Sequence, residues 1–354
     1  MRLNSLQSMR GIAALTVLFF HATLLFSTLD YDFFNGVFQQ GYAGVDLFFV
    51  ISGFVIYYIH KIDIGVSKKG KAFFVKRFLR VYPIYWLILV FLIPVYFLIP
   101  SFGDEETRNV GNLIKSVLLI PQPPEHMPLT VAWTLSHEIL FYLMFGSLII
   151  LKKRASYPII IAWLFATLIL FLVDFADGVS FNYWLDFLFN AFNLEFLGGL
   201  FAAHLILNNK NKYGMYFIII GLVYFILSWG NDYYGFLRIN RVISYGIPSF
   251  LLIYGMVSYE VLKKIRIPKV FVFLGDASYS IYLIHYPLLS VLNKIFLKLN
   301  IYTTLGYLAA TLLVILLTII ISCVFHTIIE KPLLNVLNRH VKKRNAKVNN
   351  GVVV

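Results

Sequence analysis

The sequence predicts an all-α fold: a polytopic membrane bundle of about ten transmembrane helices with both termini cytoplasmic. Three observations lead there. Of the 354 residues, 60% are apolar and only 13% are Asp, Glu, Lys or Arg, whereas a soluble domain carries about a quarter charged residues. The apolar residues fall into ten runs, each close to the roughly 20 residues of helix needed to cross about 30 Å of hydrocarbon. The cationic residues gather in alternate connections between those runs, as the positive-inside rule requires. A mean hydropathy of +0.79 excludes disorder, which needs low hydrophobicity and high charge. A barrel is excluded by length, because its strands are about ten residues long and alternate in polarity.

The expected spans are 9–28, 42–60, 82–100, 131–151, 156–173, 184–206, 214–230, 241–258, 276–296 and 305–329. Placing the N-terminus in the cytoplasm puts 24 of the 30 Lys and Arg residues inside, in clusters such as Lys61–Arg80, Lys152–Arg154, Lys210/Lys212, Lys263–Lys269 and Lys331–Lys347. Only Arg108, Lys115, Arg238, Arg241, Lys294 and Lys298 fall outside, together with the acidic loops around Asp30, Asp104 and Asp174. Arg2 and Arg10 before the first apolar run imitate a signal peptide, but no small-residue cleavage site closes the run. No soluble domain is expected ahead of it. Residues 1–332 read as one transmembrane domain and 333–354 as a short basic cytoplasmic tail. The basic excess does not indicate nucleic acid, since such a binder collects its charge on one face. A lone cysteine, Cys323, excludes a disulfide framework and a multi-cysteine metal site, and no metal site or bound cofactor is expected.

Ionisable groups inside spans are costly and mark candidate sites. Arg10 and His21 are eleven residues apart, about three helical turns, so they share one face about 16 Å apart along the axis. That places Arg10 at the inner interface and His21 near mid-membrane. The second span, GVDLFFVISGF, carries Asp46, which needs a cation or several donors, with Ser52 deeper. Its glycines allow close helix approach. Arg77 and Arg80 in KRFLRVYP are neighbours on one helical face, and their planar donors suit phosphate; the alternative is positive-inside charge alone, which already explains Lys68, Lys69 and Lys71. Trp133 and Glu138 open the fourth span, WTLSHEILFY. Glu138 needs a partner, and a histidine would let the pair perform general-base chemistry. Ser278, Tyr282 and His285 share a face of the ninth span. Glu195 and Glu330 remain, the latter expected to pair with an inner-face Lys or Arg.

Taken in order, Arg10-x10-His21, GVDLFFVISGF, KRxxRVYP, WTLSHE and SYSIYLIHYP resemble the acyltransferase family 3 membrane proteins, over residues 4 to about 332. The resemblance implies transfer of an acyl group, usually acetyl from acetyl-CoA, to a hydroxyl of a cell-surface polysaccharide or lipid-linked glycan, of O-antigen or exopolysaccharide type, in the bacterial inner membrane. It implies that His21 is catalytic, with Glu138 a candidate partner, and that Arg10, Arg77 and Arg80 bind acyl-CoA. Asp46, Ser52, Trp133, Ser278, Tyr282 and His285 are then expected to line the acceptor site or pore. His21 either deprotonates the acceptor hydroxyl or takes the acyl group itself. Two rivals stand beside this reading. A proton-coupled transporter would use His21, Asp46 and Glu138 as a relay, and a non-catalytic membrane scaffold would tolerate loss of His21.

Overall fold

The computed structural model describes residues 2–99, 102–177, 182–208, 212–263 and 266–350. Lys210 and Lys264, two of the expected cytoplasmic charges, lie outside them. The described residues are helical with no strand, and ten of the helices are long and apolar enough to span a membrane. We number the main helix of each span α1 (Asn4–Ser27), α2 (Gly44–His60), α3 (Gly70–Leu98), α4 (Trp133–Ile150), α5 (Lys153–Asp177), α6 (Phe192–Leu207), α7 (Gly214–Tyr234), α8 (Ile247–Lys263), α9 (Ser278–Lys298) and α10 (Tyr307–Phe325). Because the number of crossings is even, both ends of the chain share one side, here the terminal side. The opposite side is the far side.

The elements differ from the expected spans at their ends. Helix α3 begins at Gly70, so Arg77 and Arg80 belong to the helix and not to the loop before it. Beyond α10 the chain passes through a π-turn, His326–Glu330, into a further helix, Lys331–Asn350. The region 333–350 is therefore a helical extension of the last span. A second π-turn, Val242–Gly246, leads into α8. Such π-turns occur frequently at functional sites.

Helices α1, α2, α4, α6, α8 and α9 form the interior, while α5 and α7 are the most exposed, as lipid-facing helices are. Small residues let the interior backbones touch. A Cβ at Gly53 would lie 2.0 Å from the Phe196 carbonyl oxygen, and one at Gly199 would lie 1.9 Å from that of Val50. The α2–α6 crossing is thus a backbone contact that no larger residue permits. Gly44 plays the same part against α1, where a Cβ would meet the Ala13 oxygen at 2.4 Å. The first turn of α1 is capped from α8: Glu260 accepts the Asn4 and Ser5 N–H groups at 2.9 and 3.0 Å and the Ser5 hydroxyl at 2.5 Å. A carboxylate at a helix N-terminus satisfies otherwise orphaned donors and complements the dipole. This contact fixes the helix that carries Arg10 and His21.

Candidate active site

Two cavities follow one another through the bundle interior, sharing Val45 and Tyr282 as lining. The first, of about 260 Å³, receives Arg10 from α1, Ser52 from α2, Arg77 and Arg80 from α3 and Glu138 from α4. Ser278 and Tyr282 of α9 close it. All five helices that carry the family-like motifs therefore meet in one place. Arg77 lies 5.5 Å from the centroids of Phe73 and Tyr142, and Arg80 lies 5.7 Å from that of Tyr279. Among the described residues none of the three arginines forms an ion pair, and Arg77 Nε is buried without a hydrogen-bond partner. Three guanidinium groups face Glu138 in the cavity and Glu330 behind it, so positive charge is in excess.

Glu138 does not pair with a histidine. It accepts the Tyr142 hydroxyl one turn along its own helix, and the Ser52 hydroxyl at 3.4 Å. The i, i+4 geometry of α4 explains this partner. It places Glu138 among the arginines rather than beside His21, and Tyr142 is a cavity residue that the sequence did not single out. His137 turns away into a cage of Phe49, Trp133, Phe187 and Phe192.

The second cavity, of about 420 Å³, lies toward the far side and is lined by His21, Trp133 and Tyr282 together with Phe20, Tyr42 and Arg241. His285 does not line it. It is fully buried behind His21, and the hydrogen bonds around the pair define their tautomers. His285 Nδ1 lies 2.7 Å from the Tyr282 oxygen and 3.0 Å from the Ile281 oxygen. Carbonyls only accept, so Nδ1 carries the proton and the neutral ring's lone pair sits on Nε2. That lone pair faces His21 Nδ1 at 3.1 Å, which also lies 3.1 Å from the Val17 oxygen. His21 Nδ1 must therefore be protonated, leaving its Nε2 lone pair available. This assignment follows from the network of acceptors. It gives His21 the form that a general base needs, oriented by a second group.

Asp46, expected as lining, is likewise buried, at 0% exposure, beneath Arg241. Arg241 donates from Nη2 at 2.7 Å and from Nε at 3.1 Å to both carboxylate oxygens. This supplies the cation that Asp46 required, from a residue counted as loop charge in the sequence. The signal was present: a carboxylate within a span, and an arginine at the start of another. Only helix packing pairs them. Glu195 lies against the same pair, under Gly246 of the π-turn, where a Cβ would come within 3.0 Å of its carboxyl group. Glu330 pairs with His326 at 2.7 Å and Ser280 at 2.5 Å, not with a Lys or Arg. His326 and Glu330 are four residues apart, so they meet on one face as i, i+4 neighbours do.

Comparison with known proteins identifies the family of the chain. A family model described as an acyltransferase domain matches residues 3–327. "Exopolysaccharide production protein ExoZ" of Rhizobium meliloti is 29% identical over 308 residues, covering 84% of this chain and 90% of that protein. A "Putative acetyltransferase ORF330" of Acidianus two-tailed virus is 26% identical, covering 78% of this chain and 80% of its own length. A "Putative O-acetyltransferase" of Staphylococcus aureus strain COL is 25% identical over 82% of this chain but only 51% of its own. No solved structure matches the chain. A helical membrane bundle with its polar residues gathered around Arg10, His21 and the α3 arginines, matched over nearly all its length, belongs to the acyltransferase family 3 of membrane proteins.

Proposed function

We propose that this protein is an O-acyltransferase that moves an acyl group, acetyl first among them, from cytoplasmic acyl-CoA to a hydroxyl of a cell-surface glycan. The observation that carries this reading is the trio Arg10, Arg77 and Arg80, which line an internal cavity without ion-pair partners among the described residues. Charge inside a bundle is costly unless it is paired or used. A polyanionic ligand uses it, and the phosphates of CoA match the forked donors of arginine. The cavity takes an extended arm rather than a whole nucleotide, so the phosphates sit at its mouth and the pantetheine runs inward. On this reading the terminal side is cytoplasmic and the protein sits in the bacterial inner membrane.

The thioester then passes Val45 and Tyr282 toward His21, about 16 Å beyond Arg10 by helical rise. There the acceptor hydroxyl gives its proton to His21 Nε2, its oxygen bonds to the acyl carbon, and the carbon–sulfur bond breaks. The imidazolium returns its proton to the departing thiolate, giving the O-acyl glycan and CoA-SH. His21 stays charged only between these steps, and His285 Nε2 accepts from its Nδ1–H throughout. ExoZ is named for exopolysaccharide production, which favours a polysaccharide acceptor. The test is acyl transfer by the purified chain with labelled acetyl-CoA. His21→Ala should lose about 10²–10⁴-fold in rate with CoA binding intact. Transfer at the native rate in that variant overturns the assignment.

A further inference from the structure

The second cavity has a chemistry of its own, and Arg241 defines it. An arginine has five N–H donors. Nε is engaged with Asp46, and Nη2 with Asp46 and with the Tyr42 carbonyl at 3.0 Å. The two donors on Nη1 have no partner among the described residues, and the side chain is 30% exposed where it lines the cavity. The guanidinium is held rigidly: its centre lies 4.7 Å from the Tyr42 centroid and 5.0 Å from that of Phe192. Tyr42 is fixed in turn, its hydroxyl donating to Asp232 at 3.1 Å. Across the cavity stand the His21 imidazole and the aromatic rings of Phe20 and Trp133.

From these residues we infer that the cavity is the acceptor subsite, shaped for one uncharged pyranose ring, with Arg241 as the hydroxyl clamp. This rests on the acyltransferase reading and names its substrate class more closely. A pyranose offers apolar C–H faces to aromatic rings and hydroxyls at its rim. One hydroxyl donates to His21 Nε2 while another accepts from Arg241 Nη1. The volume of about 420 Å³ lies in the range of small-ligand pockets, about 300–1,000 Å³. Charge selects against acidic sugars. The Arg241 cation is already matched by Asp46, at 0% exposure, with the Glu195 carboxyl buried behind it. A uronate or sugar phosphate finds no net positive charge there, unlike the arginine cavity on the other side of Val45 and Tyr282.

The test uses the full chain in nanodiscs with acetyl-CoA, and methyl β-D-glucopyranoside, methyl β-D-glucuronide or glycerol as probe. Two readouts run together: acetyl transfer with CoA release, and protection of His21 from diethyl pyrocarbonate, followed by mass spectrometry. The glucoside should shield His21 and take acetyl at least about tenfold better than the glucuronide or glycerol, the value of one charge-assisted hydrogen bond. Arg241→Lys keeps one cationic nitrogen for Asp46 but removes the Nη1 donors. It should raise the KM for the glucoside about 10- to 100-fold without moving that for acetyl-CoA. Trp133→Leu should weaken shielding in the same direction. Equal or better use of the glucuronide overturns the inference, as does an unmoved acceptor KM in both variants. Shielding without CoA release from any acceptor would overturn the acyltransferase reading and leave the sugar site standing. CoA release with acyl transfer but no shielding would overturn the site alone, and absence of both would overturn both.

Discussion

Replacing His285 separates positioning from chemistry. Its Nε2 accepts from His21 Nδ1 at 3.1 Å, while its own Nδ1–H is spent on the Ile281 and Tyr282 carbonyls. When His21 takes a proton from the acceptor hydroxyl, the Nδ1–H bond becomes charge-assisted, and such bonds contribute about 1.5–3 kcal/mol. In His285→Leu that acceptor is gone, but Val17 still accepts from Nδ1 at 3.1 Å. The tautomer therefore persists, and the loss lies at the lower end of that range. At 1.36 kcal/mol per decade, this is about a 10- to 30-fold fall in kcat. The KM for acetyl-CoA should not change, because His285 lies outside the arginine cavity. His285→Gln places an amide oxygen toward the same nitrogen and should recover most of the rate. Single-turnover transfer with labelled acetyl-CoA reads all three quantities. A leucine variant at the native rate, or a glutamine variant no better than leucine, refutes the positioning role.

Other outcomes follow from the same geometry. Arg77→Lys and Arg80→Lys keep charge but lose the planar fork, and should raise the KM for acetyl-CoA more than they lower kcat. If calorimetry finds native CoA affinity in both, the donor site lies elsewhere. Gly199→Ala, whose Cβ would lie 1.9 Å from the Val50 oxygen, should destabilise by about 1–3 kcal/mol through overpacking. Gly230→Ala, with nothing within 4 Å, should leave the unfolding midpoint in detergent unchanged or raised; equal behaviour of the two would mean that α2 and α6 do not touch at Gly199. Reporter fusions after Lys152, Lys210 and Lys264 should face the cytoplasm, and fusions near Asp104, Asp174 and Asp232 the outside. Two or more inversions would refute the proposed orientation.

The sequence by itself determined the class of fold and the ten spans. A bilayer leaves helix and closed barrel as the only ways to satisfy every backbone group, and helix length then follows from hydrocarbon thickness. It also determined which polar residues stood out, because an ionisable group inside a span is conspicuous against apolar surroundings. Within one helix, spacing was enough: Arg10 and His21 share a face, and so do Arg77 and Arg80. Between helices it was not. Asp46 announced a need for a cation, yet its partner Arg241 is 195 residues away and had passed for loop charge. Glu138 suggested a histidine, and found Tyr142 and Ser52. His285 read as lining, and proved to be the buried support of His21. Helix rotation, the glycine contacts that set crossing depth, and the π-turn at 242–246 that follows Arg241 decided those pairings. Sequence distance carries no information about them, since interhelical contacts depend on how faces interlock in three dimensions.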